Sequence, residues 1–295
     1  MNIRRYIPWW LYRLNRRIKT KDTVDKFISK YEKSNDEEIQ KVISYVKKNG
    51  MTNYPNTNEK KYYNMIIRVF RDDEGYPYVL HKGKKLFFPM KFTDDHVKKS
   101  YRTLLHEQDS KNSHHYLEED RFPQKEDIVA DIGAAEGIFA LDVVDKCEKI
   151  YLFEMEENWT TPLEKTFALY KDKIEIVKKY VSNKTDDVCV TLDDFFRNKK
   201  ITYIKADIEG AEVSMLEGGR KILATRIKRA LICTYHRSDD EKKVTNVMTE
   251  FGFEKQANDG YLCENMDIST GEIMDVHDLR RGVCYFFKSN NVDKE

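Results

Sequence analysis

The segment Asp127-Ile-Val-Ala-Asp-Ile-Gly-Ala-Ala-Glu-Gly137 constrains the fold more than any other part of the sequence. Its apolar run ends in small residues, which predicts a buried strand, a tight turn and the start of a helix. Gly133 and Gly137 let the backbone turn sharply and approach a ligand closely. Asp131 falls near the end of the predicted strand, the position where parallel sheets hold nucleotide-like cofactors.

The spacing of the two glycines indicates the kind of cofactor. It is G-x-x-x-G, whereas dinucleotide-binding loops have G-x-G-x-x-G. With an acid in the strand and no pyrophosphate motif, the sequence favours S-adenosylmethionine. Close packing of a helix on the strand is the alternative explanation for the small residues. The expected cofactor contacts in this segment are Asp131, Gly133, Ala134, Ala135 and Gly137.

The composition predicts a globular chain with one large domain and an extension. The 295 residues are 40% hydrophobic and carry a net charge of only +1, which argues against nucleic acid as a partner. The five cysteines lack C-x-x-C spacing, so we expect buried thiols in a reducing cytoplasm and no zinc site. No apolar run reaches the roughly 18 residues of a membrane-spanning helix.

Residues 1–60 are predicted to form a helical extension. The first 21 residues contain seven Lys or Arg and no acid, together with Trp9 and Trp10. A basic helix with tryptophans is typical of peripheral contact with a membrane surface, here the inner face. The alternative is packing on the protein or on a second subunit, which leaves a homo-oligomer open. The apolar stripe of this basic helix is Ile7, Leu11, Leu14 and Ile18. Two further helices are predicted around residues 24–31 and 39–46, and the second of them is expected to be capped by Ser34 or Asn35.

Residues 61–120 are predicted to form a small antiparallel meander with strands at 65–70, 76–80 and 86–88, followed by a helix. His114 and His115 lie in a polar segment before the main domain. We expect His114 to fold over the cofactor, and a structural or capping role is the alternative for both histidines.

Residues 121–295 alternate strands and helices, which predicts a mostly parallel, doubly wound α/β sheet. The last strand, at 282–288, is expected in a hairpin at the sheet edge. The predicted strands are 127–132, 149–154, 173–177, 187–190, 201–206, 229–234, 252–257 and 282–288, and the predicted helices are 137–146, 157–170, 191–197, 211–224 and 239–251.

Ligands bind at the carboxyl ends of parallel strands, so polar residues at these ends are candidates. Glu154 ends the second strand and could accept the two ribose hydroxyls of an adenosine, although an acid there also suits a helix N-terminus. Met155 is expected on the adenine face, and Ser182 as a weaker contact on the adenine side.

A second motif, Ile201-Thr-Tyr-Ile-Lys-Ala-Asp-Ile-Glu-Gly-Ala-Glu212, places Lys205 and Asp207 on one side of a buried strand. Acids packed around a glycine turn are costly to bury without a function. We expect Asp207 to accept from the cofactor's amino group or from a substrate hydroxyl, and Glu209 to do the same or, with Asp207, to help hold a divalent cation. Lys205 is a candidate catalytic residue with them; helix capping by Asp207, with Glu209 as an exposed acid of the first turn, is the alternative. His236, after the fifth strand, is predicted to be the general base as a neutral imidazole.

Four segments together resemble the FkbM-type methyltransferase family: Asp131-Ile-Gly-Ala-Ala-Glu-Gly137, Phe153-Glu154, Thr191-Leu-Asp-Asp194 and Ile204-Lys-Ala-Asp-Ile-Glu-Gly-Ala-Glu212. The resemblance covers residues 110–290. It implies a seven-stranded class I methyltransferase fold, S-adenosylmethionine as the methyl donor, and O-methylation of a sugar or polyketide hydroxyl.

Tyr235-His236-Arg237 and Glu107-Gln108-Asp109 resemble the branch of this family found among bacterial surface-glycan genes, which implies a role in polysaccharide biosynthesis. Two positions depart from the family pattern. Met155 stands where proline is frequent, so the local turn is in doubt. Tyr235 stands before His236 where many members have Glu, which puts the base in doubt.

Three other functions remain open from the sequence. A non-catalytic protein of a membrane-associated glycan assembly could retain the fold, but it would not need Asp131, Glu154 and Asp207 together. A nicotinamide-dependent enzyme would require the missing G-x-G-x-x-G motif. A nucleic-acid methyltransferase would be expected to carry a base-flipping motif of the Asn-Pro-Pro-Tyr type, which the sequence lacks.

Overall fold

The computed structural model describes residues 7–267 and 272–289. Arg4 and Arg5 of the predicted basic segment therefore lie outside the described residues. Among the described helices, none combines the length and the apolar character needed to cross a bilayer. The chain begins with four helices, α1 (Trp9–Lys19), α2 (Lys21–Tyr31), α3 (Glu37–Asn49) and α4 (Glu59–Tyr63), of which the first three were predicted.

The predicted cap of α3 is wrong by one or two positions. The carboxylate of Asp36 accepts the backbone N–H groups of Glu38 at 2.8 Å and Ile39 at 3.3 Å. An acid at this position accepts hydrogen bonds from N–H groups that have no partner within the helix, and its negative charge is stabilised by the positive end of the helix dipole. Ser34 has a different role, because its hydroxyl accepts the N–H of Asp36.

The predicted three-stranded meander is present as β1 (Phe70–Arg71), β2 (Pro77–His81) and β3 (Lys84–Phe87). Its first strand is shorter than the predicted 65–70. The carbonyl of Met65 accepts from the Arg102 side chain, at 3.1 and 3.0 Å, so this part of the segment bonds to a helix instead of a strand. Arg102 belongs to α5 (Asp94–Glu107), which follows the meander.

The rest of the chain forms a seven-stranded sheet, so the predicted mostly parallel α/β sheet is confirmed. Its order is β11-β14-β10-β9-β4-β5-β6. Strand β14 runs in the opposite direction to β10 and β11, the two strands beside it, and the other neighbouring pairs are parallel. The strands are β4 (Ile128–Ile132), β5 (Lys149–Phe153), β6 (Ile174–Val177), β9 (Tyr203–Ala206), β10 (Arg229–Cys233), β11 (Glu254–Ala257) and β14 (Val283–Phe287). Outside it, β7 (Tyr180–Val181) pairs with β8 (Cys189–Val190), and β12 (Leu262–Asp267) pairs with β13 (Glu272–Arg280).

Two strand predictions need correction. The strand predicted at 187–190 contributes only its last two residues, to the small β7–β8 pair and not to the main sheet. The last strand, β14, does not lie at the edge, because it inserts between β10 and β11 and pairs with both. Hairpin β12–β13 lies in the connection between β11 and β14.

The helices cover both faces of the sheet. The helix predicted at 211–224 is divided at Gly218, where an added Cβ would lie 2.1 Å from the carbonyl oxygen of Ser182. Asp193 then caps the second part by accepting the N–H groups of Lys221 and Ile222. The helices are α6 (Ile138–Val143), α7 (Glu157–Thr166), α8 (Leu192–Phe195), α9 (Glu212–Glu217), α10 (Arg220–Thr225) and α11 (Asp240–Glu250).

Alternation along the central strand β9 divides the core. Tyr203 faces the layer that contains the meander, α5, α6 and α7, while Ile204 and Ala206 face α8 to α11. The second sequence motif, at residues 201–212, therefore runs through a fully buried strand, and its acids Asp207, Glu209 and Glu212 follow the end of that strand.

The N-terminal helices pack on hairpin β12–β13. Phe27 and Val46 form one buried cluster with Cys263 of β12. Lys30 pairs with Asp278 of β13. The N-terminal extension is thereby joined to a segment more than 200 residues away in sequence.

Candidate active site

A buried ion pair lies at the centre of the site. Asp131 of β4 and Lys205 of β9 are register partners on neighbouring parallel strands. The Lys205 ammonium lies 3.0 Å from Asp131 Oδ1 and donates to the Gly133 carbonyl at 2.9 Å. Burial alone would lower the pKa of Lys205, but the Asp131 and Asp207 carboxylates raise it above its ordinary value. Lys205 therefore holds both the strand end and the glycine turn.

The turn after β4 requires its glycines. Gly133 and Gly137 have φ of 74° and 81°, and Ala135 between them also has a positive φ of 45°. A Cβ on Gly133 would lie 2.0 Å from the carbonyl oxygen of Asp207. The turn thus passes directly against the end of β9, which brings the two sequence motifs into contact.

Glu154 secures the other side of the turn. Its Oε2 accepts the backbone N–H of Ala135 at 2.9 Å, and its Oε1 accepts that of Glu156 at 2.7 Å. Met155 beside it is half-buried. Ser182 lies 3.2 Å from the Ser214 hydroxyl, against α9. The predicted ribose and adenine contacts of Glu154, Met155 and Ser182 remain predictions.

The turn opens on a cavity of about 210 Å³. The predicted residues that line it are Gly133, Ala134, Ala135, His114, Lys205, Asp207 and Glu209. Sequence reasoning missed several other lining residues that carry polar groups. These are Glu107 and Gln108 at the end of α5, Tyr116, Glu136 and Tyr235.

Asp207 is the most connected side chain at this cavity. Its Oδ2 accepts the Tyr116 hydroxyl at 2.8 Å, and its Oδ1 lies 3.5 Å from the Tyr235 hydroxyl. The Tyr235 hydroxyl in turn lies 3.2 Å from His114 Nε2. Burial alone would raise the pKa of Asp207, but His236 and the neighbouring cations lower it well below its usual range. Asp207 is therefore an ionised acceptor in a fixed orientation.

His114 reaches the cavity because its segment is held by the far end of the chain. The Ser113 carbonyl accepts the Asn258 side-chain amide and the Val283 N–H, both at 2.9 Å. His115 faces elsewhere, because its two ring nitrogens contact the Asn112 carbonyl and Glu118 at 2.6 Å each. The two adjacent histidines thus have different roles, and only His114 lies at the site.

His236, predicted to be the general base, is buried between carboxylates, and its role as a base stays a prediction. It lies three residues beyond the end of β10 and is 1% exposed. Nε2 is 3.3 Å from Asp207, and Nδ1 is 3.2 Å from Glu212. Burial alone would lower the pKa of His236, but these carboxylates raise it to about 10. This shift favours the imidazolium, the form of the ring that has no lone pair to accept a proton.

Two groups among the described residues could hold a metal ion, with ligand atoms within 4.8 Å of one another. They are Asp207 with Glu212 and His236, and Asp207 with His114 and Cys233. Glu209, predicted as a cation ligand, belongs to neither group and its side chain is 79% exposed. The two His236 nitrogens face different carboxylates, an arrangement that suits a proton on each nitrogen better than one shared ion.

Glu136 is the group in the cavity whose proton is most easily exchanged near neutral pH. It lies inside the glycine turn and is buried. Burial, together with the nearby Glu107 and Asp131 carboxylates, raises its pKa to about 7, although Lys205 opposes the shift. A group with this pKa exchanges protons readily at neutral pH. Its position inside the first motif was visible in the sequence, but its burial was not.

The second motif also identifies the family. The model of the methyltransferase FkbM domain matches residues 180–263, which include Lys205, Asp207, Glu212 and His236. The chain contains an FkbM-type methyltransferase domain. Its seven-stranded sheet, with one antiparallel strand next to the edge, is the class I methyltransferase fold. The chain matches no protein of curated function significantly.

Solved structures of similar shape include methyltransferase FkbM from Methylobacillus flagellatus KT, 24% identical, with a TM-score of 0.44 over 57% of this chain and 44% of that one. The aligned part thus spans less than half of that protein. An rRNA methylase from Streptococcus thermophilus is 16% identical, with a TM-score of 0.39 over 56% and 88%. A Streptococcus mutans protein classed as a methyltransferase, in complex with SAH, is 13% identical, with a TM-score of 0.37 over 56% and 90%.

The raised pKa of His236 predicts a pH-dependent stability. The stabilisation is fully present below the ordinary His pKa of about 6.5 and is lost as pH rises towards the folded value of about 10. Between these limits we expect the free energy of unfolding of the methyltransferase to fall, relative to His236→Gln, by up to about 1.4 kcal/mol per pH unit. Denaturant unfolding of both proteins at several pH values measures this difference. If the free energies of unfolding of the two proteins changed with pH in the same way between these limits, the folded protein would hold His236 neutral there.

Proposed function

We propose that the chain is an S-adenosylmethionine-dependent O-methyltransferase that acts on a hydroxyl of a sugar or glycan. The observation that carries the proposal is the convergence of the glycine turn, Lys205 and Asp207 on one cavity at the carboxyl edge of the sheet, with the buried Asp131 holding Lys205 from behind. This edge is where open α/β sheets bind their ligands.

The residues present fit S-adenosylmethionine. Four acids line the cavity, Glu107, Glu136, Asp207 and Glu209, and the only Lys or Arg among its lining residues is Lys205. Such a cavity favours a sulfonium cation electrostatically. Glu154 at the end of β5 is available for ribose hydroxyls, with Met155 next to it. When bound, S-adenosylmethionine supplies an electrophilic methyl group, and the sulfur keeps the electron pair of the broken carbon–sulfur bond.

A larger cleft beside the cavity supports a carbohydrate acceptor. It encloses about 1110 Å³ between the N-terminal helices and the 259–261 loop. Aromatic rings and side-chain amides share its wall, as suits sugars, whose C–H faces are apolar and whose hydroxyls both donate and accept. These residues are Trp9, Tyr45, Tyr54 and Tyr261, with Asn35, Gln40, Asn49, Asn56 and Asn112. Charged side chains of both signs also line the cleft: Arg13, Glu37, Glu38, Lys41, Lys48, Lys60, Lys111 and Asp259.

Tyr54 connects the cleft to the cavity. It lines the cleft, and its hydroxyl donates to Glu107 of the cavity wall at 2.6 Å. Its ring meets the His114 ring edge-on, with centroids 6.3 Å apart. An acceptor in the cleft would therefore reach the methyl donor past Tyr54 and His114, with most of its length in contact with the N-terminal helices.

We assign the proton transfer to Glu136 in place of His236. A sugar hydroxyl needs a base as its oxygen attacks the methyl carbon, and Glu136 is unprotonated in a large fraction of molecules at neutral pH. The His236 imidazolium would hold Asp207 in place, and Asp207 would accept a hydrogen bond from the acceptor. A divalent cation on Asp207, Glu212 and His236 would replace the imidazolium proton; metal analysis of the purified protein separates these two states.

The proposed activity predicts methyl transfer from S-adenosylmethionine to oligosaccharides or nucleotide sugars, with a new O–CH₃ group. Release of S-adenosylhomocysteine measures the rate, and NMR of the product locates the methyl group. RNA and DNA serve as parallel acceptors. Transfer to nucleic acid alone, or to a nitrogen or carbon atom, would contradict the proposal.

The role of Glu154 predicts weaker cofactor binding in Glu154→Ala. Loss of charge-assisted hydrogen bonds to the ribose, and of support for Ala135, should weaken S-adenosylhomocysteine binding by about 1–3 kcal/mol. Titration calorimetry measures the change. Glu156→Ala is the matched control, because Glu156 is an exposed acid two residues away. Equal affinities for the wild type and Glu154→Ala would remove Glu154 from the ribose site.

The two candidate bases give different pH profiles. Glu136→Gln should lower turnover about a hundredfold and abolish the rise in activity around pH 7. His236→Gln should lower turnover through misplacement of Asp207 while the rise around pH 7 remains. Turnover as a function of pH, at saturating cofactor, separates the two. Persistence of the rise in Glu136→Gln and its loss in His236→Gln would restore His236 as the base.

A further inference from the structure

Helix α1 exposes a continuous apolar stripe. Trp10, Leu14 and Ile18 are 61%, 42% and 67% exposed, and Ile7 just before the helix is 45% exposed. Their spacing of three and four residues places them on one side of the helix. We call these four residues the α1 stripe. No residue of α1 is fully buried. Leu11, predicted as part of the apolar stripe, is half-buried and is not included in the α1 stripe.

The opposite side of α1 is held firmly. The Arg16 guanidinium donates to both carboxylate oxygens of Glu59, at 2.5 and 2.9 Å, and to the Asn49 carbonyl at 2.8 Å. The Tyr12 ring packs on the Tyr63 ring, with centroids 4.6 Å apart. These contacts fix the rotation of the helix about its axis. The α1 stripe therefore points away from the protein as a consequence of specific bonds on the other side.

Positive charge surrounds the α1 stripe. Residues 1–21 contain seven Lys or Arg and no Asp or Glu, and the first acid is Asp22. Among the described residues of this segment, Arg17, Lys19 and Lys21 are exposed. An apolar stripe with a tryptophan and a basic border is complementary to anionic lipid: the side chains enter the headgroup boundary and the cations meet the phosphates.

We propose that α1 docks the protein on the surface of an anionic phospholipid bilayer, lying in the plane of the membrane with the α1 stripe inserted. The charge pattern disfavours a second copy of the chain as the occupant. Two such faces would bring their Lys and Arg residues together with no acid from either segment to pair with them.

Docking has a consequence for the acceptor, and this part rests on the proposed function. Trp9 and Arg13 of α1 line the acceptor cleft. With α1 in the membrane surface, the cleft would lie next to the headgroups. A glycan carried on a lipid anchor would then reach the cleft by diffusion in two dimensions.

Vesicle flotation with the full chain tests the docking. The probes are phosphatidylcholine vesicles with and without phosphatidylglycerol, and no methyl donor or acceptor is present, so the outcome is independent of catalysis. We expect binding to the anionic vesicles only, weakening as salt rises. The triple variant Trp10→Ser/Leu14→Ser/Ile18→Ser should bind at least about tenfold more weakly, because burial of one such side chain is worth about this factor.

Leu169→Ser is the matched control, because Leu169 is 91% exposed and lies on a different part of the fold. It should bind vesicles as the wild type does, and thermal melting should show that all variants fold. Equal binding of the wild type and the triple variant, or no binding to anionic vesicles, would overturn the proposal. A dimer in solution that the triple variant abolishes, without vesicle binding, would assign the α1 stripe to self-association instead.

Discussion

The site depends on the buried pair of Asp131 and Lys205. Each charge alone would be costly at these positions, where both side chains are almost fully buried, so each requires the other. The pair joins neighbouring strands at the ends where they leave the sheet, and Lys205 also bonds the Gly133 carbonyl. The glycine turn, Asp207 and the cavity between them are consequently held in one arrangement before any ligand binds.

A second set of constraints comes from distant parts of the chain. Strand β14 and Asn258 hold the segment around Ser113, and this segment delivers His114 and Tyr116 to the cavity. The N-terminal helices, packed on hairpin β12–β13, form the outer wall of the adjoining cleft. The methyltransferase-fold domain holds the cavity, and the extension adds a large surface beside it.

Sequence reasoning located the parts of the site that lie within single motifs. The strand, the glycine turn and the second motif could be located from spacing alone, so the sequence places Asp131 and Gly133 in one segment and Lys205 in the other, while their roles in binding stay predictions. The contributions of Tyr116 and Glu212 could not, because they depend on how separate segments meet. The same holds for the helix division at Gly218, where the Ser182 carbonyl leaves no space for a side chain. The position of β14 within the sheet likewise depends on its pairing with two strands.

The charge of His236 shows why residue type and position along a strand do not determine a chemical role. A histidine after a strand at the ligand edge suggests a base, but Asp207 and Glu212 on either side make the protonated ring the stable form. Glu136 shows the converse, because burial among other acids raises to about 7 the pKa of a carboxyl that is ordinarily fully ionised at neutral pH.

The most direct test of this account is titration calorimetry of the purified protein with S-adenosylhomocysteine, with NAD in a parallel titration. The account predicts one site per chain with micromolar affinity for S-adenosylhomocysteine and no binding of NAD. Absence of S-adenosylhomocysteine binding would contradict it and would favour a non-catalytic protein that retains the fold. Binding of NAD instead would favour a nicotinamide-dependent enzyme.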